Sequence, residues 1–293
     1  MAINENTLEQ VIISELQEKG YDYLYGPDVE RDYHEVLLKD YFDAALLKIN
    51  DGITMPIIDE AYKTIRDLGL LKLEELNAAF HKYLIEGVPI AYREGVENKT
   101  YTVKVVDFEN PQANDFKVIN QFTVIEYKNK RPDVLVFING IPMVLFELKN
   151  MTNSDTTVET AYKQVKNYQL DISKIFNYIA FNVISDGLDT RIGTITSDFS
   201  RYMAWKSENG EYPENGDVNY FSKLLNGIFS KERLLDYCNQ DFLKKQDIFK
   251  AEKVQQFMKH YLETGDKGSG SGANYSRFVW AYFVFQKWYG EYI

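Results

Sequence analysis

Apolar and polar positions alternate in two different ways along this chain. Between residues 119 and 149 the apolar residues come in short β-branched and aromatic runs, whereas on either side they recur every three or four positions; the first pattern reads as strands and the second as helices. A first helix carries Leu8, Val11, Ile12 and Leu16 on its buried face, with Glu9 at the border of that face near Ile12 and Ile13, and stops at Gly20. Tyr21-Asp22-Tyr23 then enters a polar insertion with helices expected near 35–48, 56–68 and 73–85. Strands follow near 100–107, 119–128, 134–138 and 143–149, then a helix over 156–171, strands at 177–184 and 191–196, and helices over 217–236 and 240–263. The order α, β-meander, α, β predicts an α/β fold, a mixed sheet flanked by helices, with a helical insertion at about 30–90 and further helices toward the C-terminal end.

The sharpest local signal is a hairpin. Val134-Leu135-Val136-Phe137-Ile138 and Met143-Val144-Leu145-Phe146 are separated by a segment that begins Asn139-Gly140, a strong turn signature. Asp133 immediately precedes the first run and Glu147-Leu148-Lys149 follows the second. The two-residue pleat puts Glu147 and Lys149 on one face. A strict two-residue loop would set Asp133 opposite Phe146, whereas a three-residue loop, Asn139 to Ile141, sets it opposite Glu147. The longer loop, helped by Pro142, is the expectation, and it brings the two Cβ atoms to roughly 4.5–5.5 Å.

Two carboxylates at that separation suit a divalent cation of the Mg²⁺ type, which takes hard oxygen ligands and keeps several waters. Asp133, Glu147 and the Leu148 carbonyl would hold the ion, and Lys149 would orient a water or offset charge on a phosphorane. A surface ion pair at a strand end accounts for the same residues without any chemistry, and a bare D…ExK is common.

The next helix changes the balance. Over Thr156–Gln169 it places Gln164 and Tyr168 at i and i+4, on one face. A PD…ExK core followed by a QxxxY helix resembles the nuclease domain of the R (motor and cleavage) subunit of type I restriction enzymes, a PD-(D/E)xK nuclease. Asn114-Asp115-Phe116 with Val118–Val124, and Val183–Leu188 with Arg191-Ile192-Gly193, look like that domain's flanking segments, so the resemblance covers about residues 5 to 250. It implies a restriction-endonuclease-like fold and Mg²⁺-dependent hydrolysis of double-stranded DNA. It also implies a complex with specificity and methylation subunits, and a translocase that uses ATP.

In the family a glutamate on the first helix completes the site, and Glu9 is the residue that matches. Two readings of Glu9 stand: a member of the metal site, or an acid in the first turn beside a Thr7–Gln10 capping box. Gln164 and Tyr168 either contact the nucleic-acid backbone or support the lysine; without the upstream motif they read as a solvated helix face with one partly buried tyrosine.

Composition sets limits. The 293 residues are 45% hydrophobic and can bury one sizeable core. No run of about 18 apolar residues occurs and the N-terminus has no signal pattern, so a soluble cytoplasmic chain without a membrane partner is expected. One cysteine, Cys238, and scattered His34, His81 and His260 argue against disulfides and zinc sites. The net charge of −11 argues against a self-sufficient DNA binder, although Lys128, Lys130, Lys163, Lys166 and Lys174 could give the site face a positive patch. No G-x-x-x-x-G-K-[ST] occurs, so ATP would enter only through a motor portion outside this chain.

The expected organisation is an endonuclease domain over 1–265, a flexible Gly/Ser linker over 266–274, and an aromatic tail over 275–293 whose role the residues leave open. Three functional readings follow: the endonuclease domain of an R subunit, a stand-alone restriction-like nuclease, and a non-catalytic DNA-clamping or assembly module. Neither a reading motif nor a basic balance supports the second.

Overall fold

A computed structural model of the protein describes residues 5–69, 71–94, 97–149, 157–205 and 220–239. The chain divides into two units, Met1–Cys238 and Asn239–Ile293. The expected helix over 240–263, the Gly/Ser stretch and the aromatic tail lie outside the described residues.

The core of the first unit is a seven-stranded mixed sheet. Its strands are β1 (Asp22–Tyr25), β4 (Phe116–Asn120), β7 (Val134–Ile138), β8 (Ile141–Leu148), β9 (Phe181–Ser185), β10 (Thr190–Gly193) and β11 (Met203–Ala204), side by side in that order. β1 runs parallel to β4 and β8 parallel to β9; the other neighbours are antiparallel. Every residue of β4, β7, β8 and β9 is buried. A strand buried on both faces needs cover on both sides, and this explains the unbroken apolar runs. Helix α1 (Glu5–Glu18) packs on β1, β4 and β8, while α5 (Val158–Asp171) packs on β8 and β9.

The insertion holds α2 (Lys39–Ile49), α3 (Met55–Arg66) and α4 (Leu73–Glu86), close to the expected helices, and then an antiparallel ribbon, β2 (Val88–Glu94) with β3 (Glu97–Val103). The ribbon is an addition to the expected helical insertion. Two short strands, β5 (Val124–Ile125) and β6 (Asn129–Lys130), form a small hairpin, and α6 (Tyr220–Ile228) and α7 (Lys231–Cys238) close the described part.

Several boundaries differ from the sequence pattern for identifiable reasons. The strand expected over 119–128 ends at Asn120, because Gln121 adopts a left-handed conformation (φ 54°) and the chain leaves the sheet. The strand expected from 177 starts at Phe181, after a 3₁₀ turn over Ser173–Asn177. The helix expected over 217–236 breaks between Ile228 and Lys231. In α1 the buried face is Leu8, Glu9, Ile12, Ile13 and Leu16, while Val11 is 38% exposed. Thr7 lies within that helix, which begins by Glu5, so the Thr7–Gln10 capping box is not its start.

The hairpin turn is the main correction. Asn139 (φ 50°) and Gly140 (φ 75°) form a two-residue loop with Ile138 paired to Ile141, not the expected loop to Ile141. Positive φ at both positions matches the twist of the flanking strands. The register then slips by one residue: Phe137 faces Pro142 but Val136 faces Val144, which leaves Met143 as the extra residue of a β-bulge. The Met143 carbonyl accepts from the Ala180 N–H at 2.8 Å. Val134 therefore faces Phe146, so the next pair outward is Asp133 and Glu147. The expected alignment of the acids is present, produced by a bulge instead of a longer loop.

The turn is also fixed from outside. Asn139 is fully buried, donates to the Val105 carbonyl and Asn114 Oδ1, both at 2.9 Å, and accepts from the Asp115 N–H at 2.8 Å. A Cβ on Gly140 would lie 2.5 Å from the Leu38 carbonyl oxygen and 2.7 Å from the Phe42 nitrogen, at the start of α2. The insertion thus docks on the one residue of the turn that has no side chain.

Candidate active site

β7 and β8 deliver the acids, and the neighbouring backbone holds them. One oxygen of Asp133 accepts from the Leu148 N–H at 2.7 Å, and the Asp133 carbonyl accepts from the Gln121 N–H at 3.0 Å. Glu147 is buried and pairs with Lys149 on the same face of β8, as the pleat predicts. The Lys149 ammonium also donates to the Leu148 carbonyl at 3.0 Å, and its own N–H donates to Ser185 of β9 at 2.8 Å.

Electrostatics ties these groups together. Burial, and then the neighbouring Glu147 carboxylate, push Asp133 up to about 8, against the opposing pull of the Leu148 amide and the Lys149 ammonium; Glu9 adds a smaller push. Two carboxylates whose charges are not screened from each other form a site that a cation relieves. The Leu148 carbonyl lies at the same point, within reach of Lys149.

α5 supplies the second wall. Thr157 starts the helix, its N–H donating to Thr160 Oγ1 at 3.4 Å, and Asp186 accepts from the Val158 N–H at 3.1 Å. The carboxylate therefore sits where the helix dipole favours it. Tyr168 is buried, and its hydroxyl is raised far above the ordinary phenol range by burial first and then by Glu147 and Asp133. The side chains of Gln164 and Glu147 are its hydrogen-bond partners. The i, i+4 spacing thus places Gln164 and Tyr168 beside the two acids.

Glu9 reaches the same corner by a different route. It is 6% exposed, and its two oxygens accept from Asn120 Nδ2 at 3.0 Å and Gln121 Nε2 at 2.9 Å. Asn120 Oδ1 in turn accepts from the Tyr23 hydroxyl at 3.0 Å. Gly26 packs onto this corner so closely that a Cβ there would meet the Asn120 carbonyl oxygen at 2.6 Å. Asn120 and Gln121 are the residues missed in the sequence: two amides directly after an apolar strand were the available signal. Among the described residues no group of three His, Cys, Asp or Glu side chains is placed to hold a metal ion.

Of the five lysines that could make a positive patch, three are paired with acids and two with backbone carbonyls. Lys128 and Lys130 both pair with Asp171, at 2.9 and 3.2 Å, and Lys163 pairs with Glu159 at 2.9 Å. Lys166 donates to the Ile195 carbonyl at 2.9 Å and Lys174 to the His34 carbonyl at 3.1 Å. Among the described residues no helix is long and apolar enough to cross a membrane.

Comparison with known proteins gives a consistent result. The family described as type I restriction enzyme R protein N terminus matches residues 2–201, a span that contains every residue of the site. A relative from Methanocaldococcus jannaschii, whose name refers it to the MjaIXP endonuclease subunit of a type I restriction enzyme, is 33% identical over 82% of this chain and 26% of its own length. The HindI endonuclease subunit of a type I restriction enzyme from Haemophilus influenzae is 31% identical over 88% of this chain and 26% of its own length. The SauMSSORF170P endonuclease subunit from Staphylococcus aureus is 26% identical over 64% of this chain and 19% of its own. The chain spans about a quarter of the length of the first two relatives. On the family match and on these identities, the chain belongs to the family of type I restriction enzyme R protein N termini.

Proposed function

We propose that this chain is the Mg²⁺-dependent endonuclease portion of a type I restriction enzyme R subunit, hydrolysing phosphodiester bonds of double-stranded DNA at the end of the β7–β8 hairpin. The observation that carries this reading is the convergence of Asp133, Glu147, Lys149 and Tyr168 at one corner, with Asp133 raised by its neighbour's charge. Asp133, Glu147 and the Leu148 carbonyl would hold the ion, whose contribution when bound is to polarise a phosphate oxygen and acidify a water.

The side chains have separable roles. Lys149, held by Glu147 and the Leu148 carbonyl, presents an ammonium where negative charge develops on the phosphate. Tyr168 donates to Glu147 and keeps that carboxylate facing the site, and Gln164 fixes the tyrosine hydroxyl. Glu9 is a positioning residue: through Asn120 and Gln121 it stabilises the left-handed turn whose N–H holds the Asp133 backbone.

An acidic chain of net charge −11 is a weak DNA binder by itself. Recognition by specificity and methylation subunits, and ATP-driven translocation by a motor portion, supply in this reading what the chain lacks. The test is plasmid nicking by the chain at low salt with Mg²⁺, with EDTA, and as Lys149→Ala. Nicking that needs both the metal and Lys149 is expected, with a loss on the order of 10²- to 10³-fold for the variant. Nicking that survives both changes would place the chemistry elsewhere, and no nicking either alone or in the reassembled enzyme would favour the non-catalytic clamping module.

A further inference from the structure

A second feature lies two residues upstream of Asp133. A cavity of about 380 Å³ is lined by Tyr33, Thr123, Asn129, Lys130 and Arg131, two cations and no acid. Lys130 is already turned to Asp171, but Arg131 is exposed and forms no hydrogen bond or ion pair among the described residues.

The cavity is built and not incidental. Its two edges, the loop carrying Tyr33 and the β5–β6 hairpin, are joined by the Ile125 N–H donating to the Tyr33 carbonyl at 2.9 Å. Arg31 acts as the fastener: its guanidinium lies 3.5 Å over the Phe122 ring and donates to the carbonyls of Glu35, at 2.8 Å, and Thr123. Burial lowers Arg31 to about 10, so this cation is committed to the frame. At the hairpin tip Tyr127 is 75% exposed, an open aromatic face beside the cations.

The path from the cavity to the acids is short, two residues along the chain. Arg131 is exposed, Pro132 is buried and Asp133, partly buried, sits at a bend just before β7. Two extended residues span at most about 7 Å, comparable to the step from one phosphate to the next along a DNA strand. Resting on the nuclease reading above, we infer that this cavity takes the backbone phosphate adjacent to the one attacked, with Arg131 as its contact, so that the strand is set in register before hydrolysis. Arg131 supplies what the five lysines do not, a guanidinium with no internal partner and a fork suited to phosphate.

The test measures binding, not cleavage. Fluorescence anisotropy of a short fluorescein-labelled DNA duplex is followed with the chain over a series of low KCl concentrations in EDTA. Arg131→Gln is expected to weaken binding about tenfold and to reduce the slope of log affinity against log salt by about 1. Arg131→Lys keeps the charge and should keep the slope, a readout that a merely structural role would not give. Lys82→Gln, on an exposed residue of α4 paired with Glu86, should change neither. Unchanged affinity and slope in Arg131→Gln, or no binding by the parent chain at the lowest salt, would overturn the inference. A chain that never nicks yet shows the Arg131-dependent slope would sink the nuclease reading and leave the phosphate site standing; Arg131-independent binding by a nicking-competent chain would do the reverse.

Discussion

The two main hairpins of this protein, β7–β8 and β2–β3, have similar lengths and the same antiparallel pairing, yet they serve opposite ends. β2–β3 pairs without a shift from Val88 opposite Val103 to Glu94 opposite Glu97, and most of β3 lies in water. β7–β8 is buried along its whole length and carries a bulge. A charge on the exposed ribbon is screened at little cost. The same charge at the end of the buried hairpin is felt by every neighbour, which is why Asp133 and Glu147 perturb each other and Tyr168. Burial makes the acids perturb one another, and the irregular register makes them meet.

That contrast can be broken first at the buried turn. Gly140→Ala forces a Cβ against the Leu38 carbonyl while keeping a positive φ, and should cost more than about 3 kcal/mol in urea unfolding. A loss under about 1 kcal/mol would mean that the turn and α2 separate easily.

A smaller effect is expected at His81, on the helix that leads into the exposed ribbon. Burial lowers His81 to about 4 from the ordinary 6.5. Between those values the His81 site binds more protons in the unfolded chain than in the folded one, so its contribution to stability falls as pH drops from 6.5 toward 4, by on the order of 2–3 kcal/mol for a fully buried group, while Asp133, raised to about 8, contributes the opposite slope. His81→Gln should remove this contribution, leaving the variant relatively more stable toward pH 4 than the parent whatever its offset at neutral pH. Curves of equal slope would show that His81 is wetter than its surroundings indicate.

The smallest effect belongs to the ribbon surface. Thr100→Ala, at an exposed position of β3, should shift stability by no more than about 0.5 kcal/mol and leave nicking unchanged. A larger cost would remove the distinction between the two hairpins.

How much of this was legible in the sequence follows the same division. The buried hairpin announces itself through continuous apolar runs and Asn-Gly, and the helix with Gln164 and Tyr168 through its spacing, so the site's members could be named before the fold. The alignment of Asp133 with Glu147 was also foreseen, but the bulge at Met143 was not, because one extra residue inside an apolar strand leaves no polar mark. β1 and the first ribbon strand, β2, were missed, and β3 was expected only from residue 100, since Asp22-Tyr23-Leu24-Tyr25 and the start of Glu97–Val103 mix charges and aromatics without the burial that makes a strand visible. The amide clasp on Glu9 depends on Gln121 in a left-handed conformation, which no neighbouring glycine or asparagine-glycine pair signals. The partners of the lysines were equally out of sight: sequence shows the charges of Lys128, Lys130 and Lys163 but not the acids that pair with them.

The backbone bonds around the acids carry one more consequence. Asp133 is tied to the Leu148 N–H and to Gln121, and Lys149 to Ser185, so both ends of the candidate centre are stitched to the backbone of the sheet and its flanking turn. Such a centre behaves as an anvil: it cannot open or close without parting β8 from its neighbours. On the proposed nuclease function, control over cleavage would reside in the delivery of the strand, and a regulator would act by bending, holding or releasing the DNA and not by remodelling the acids.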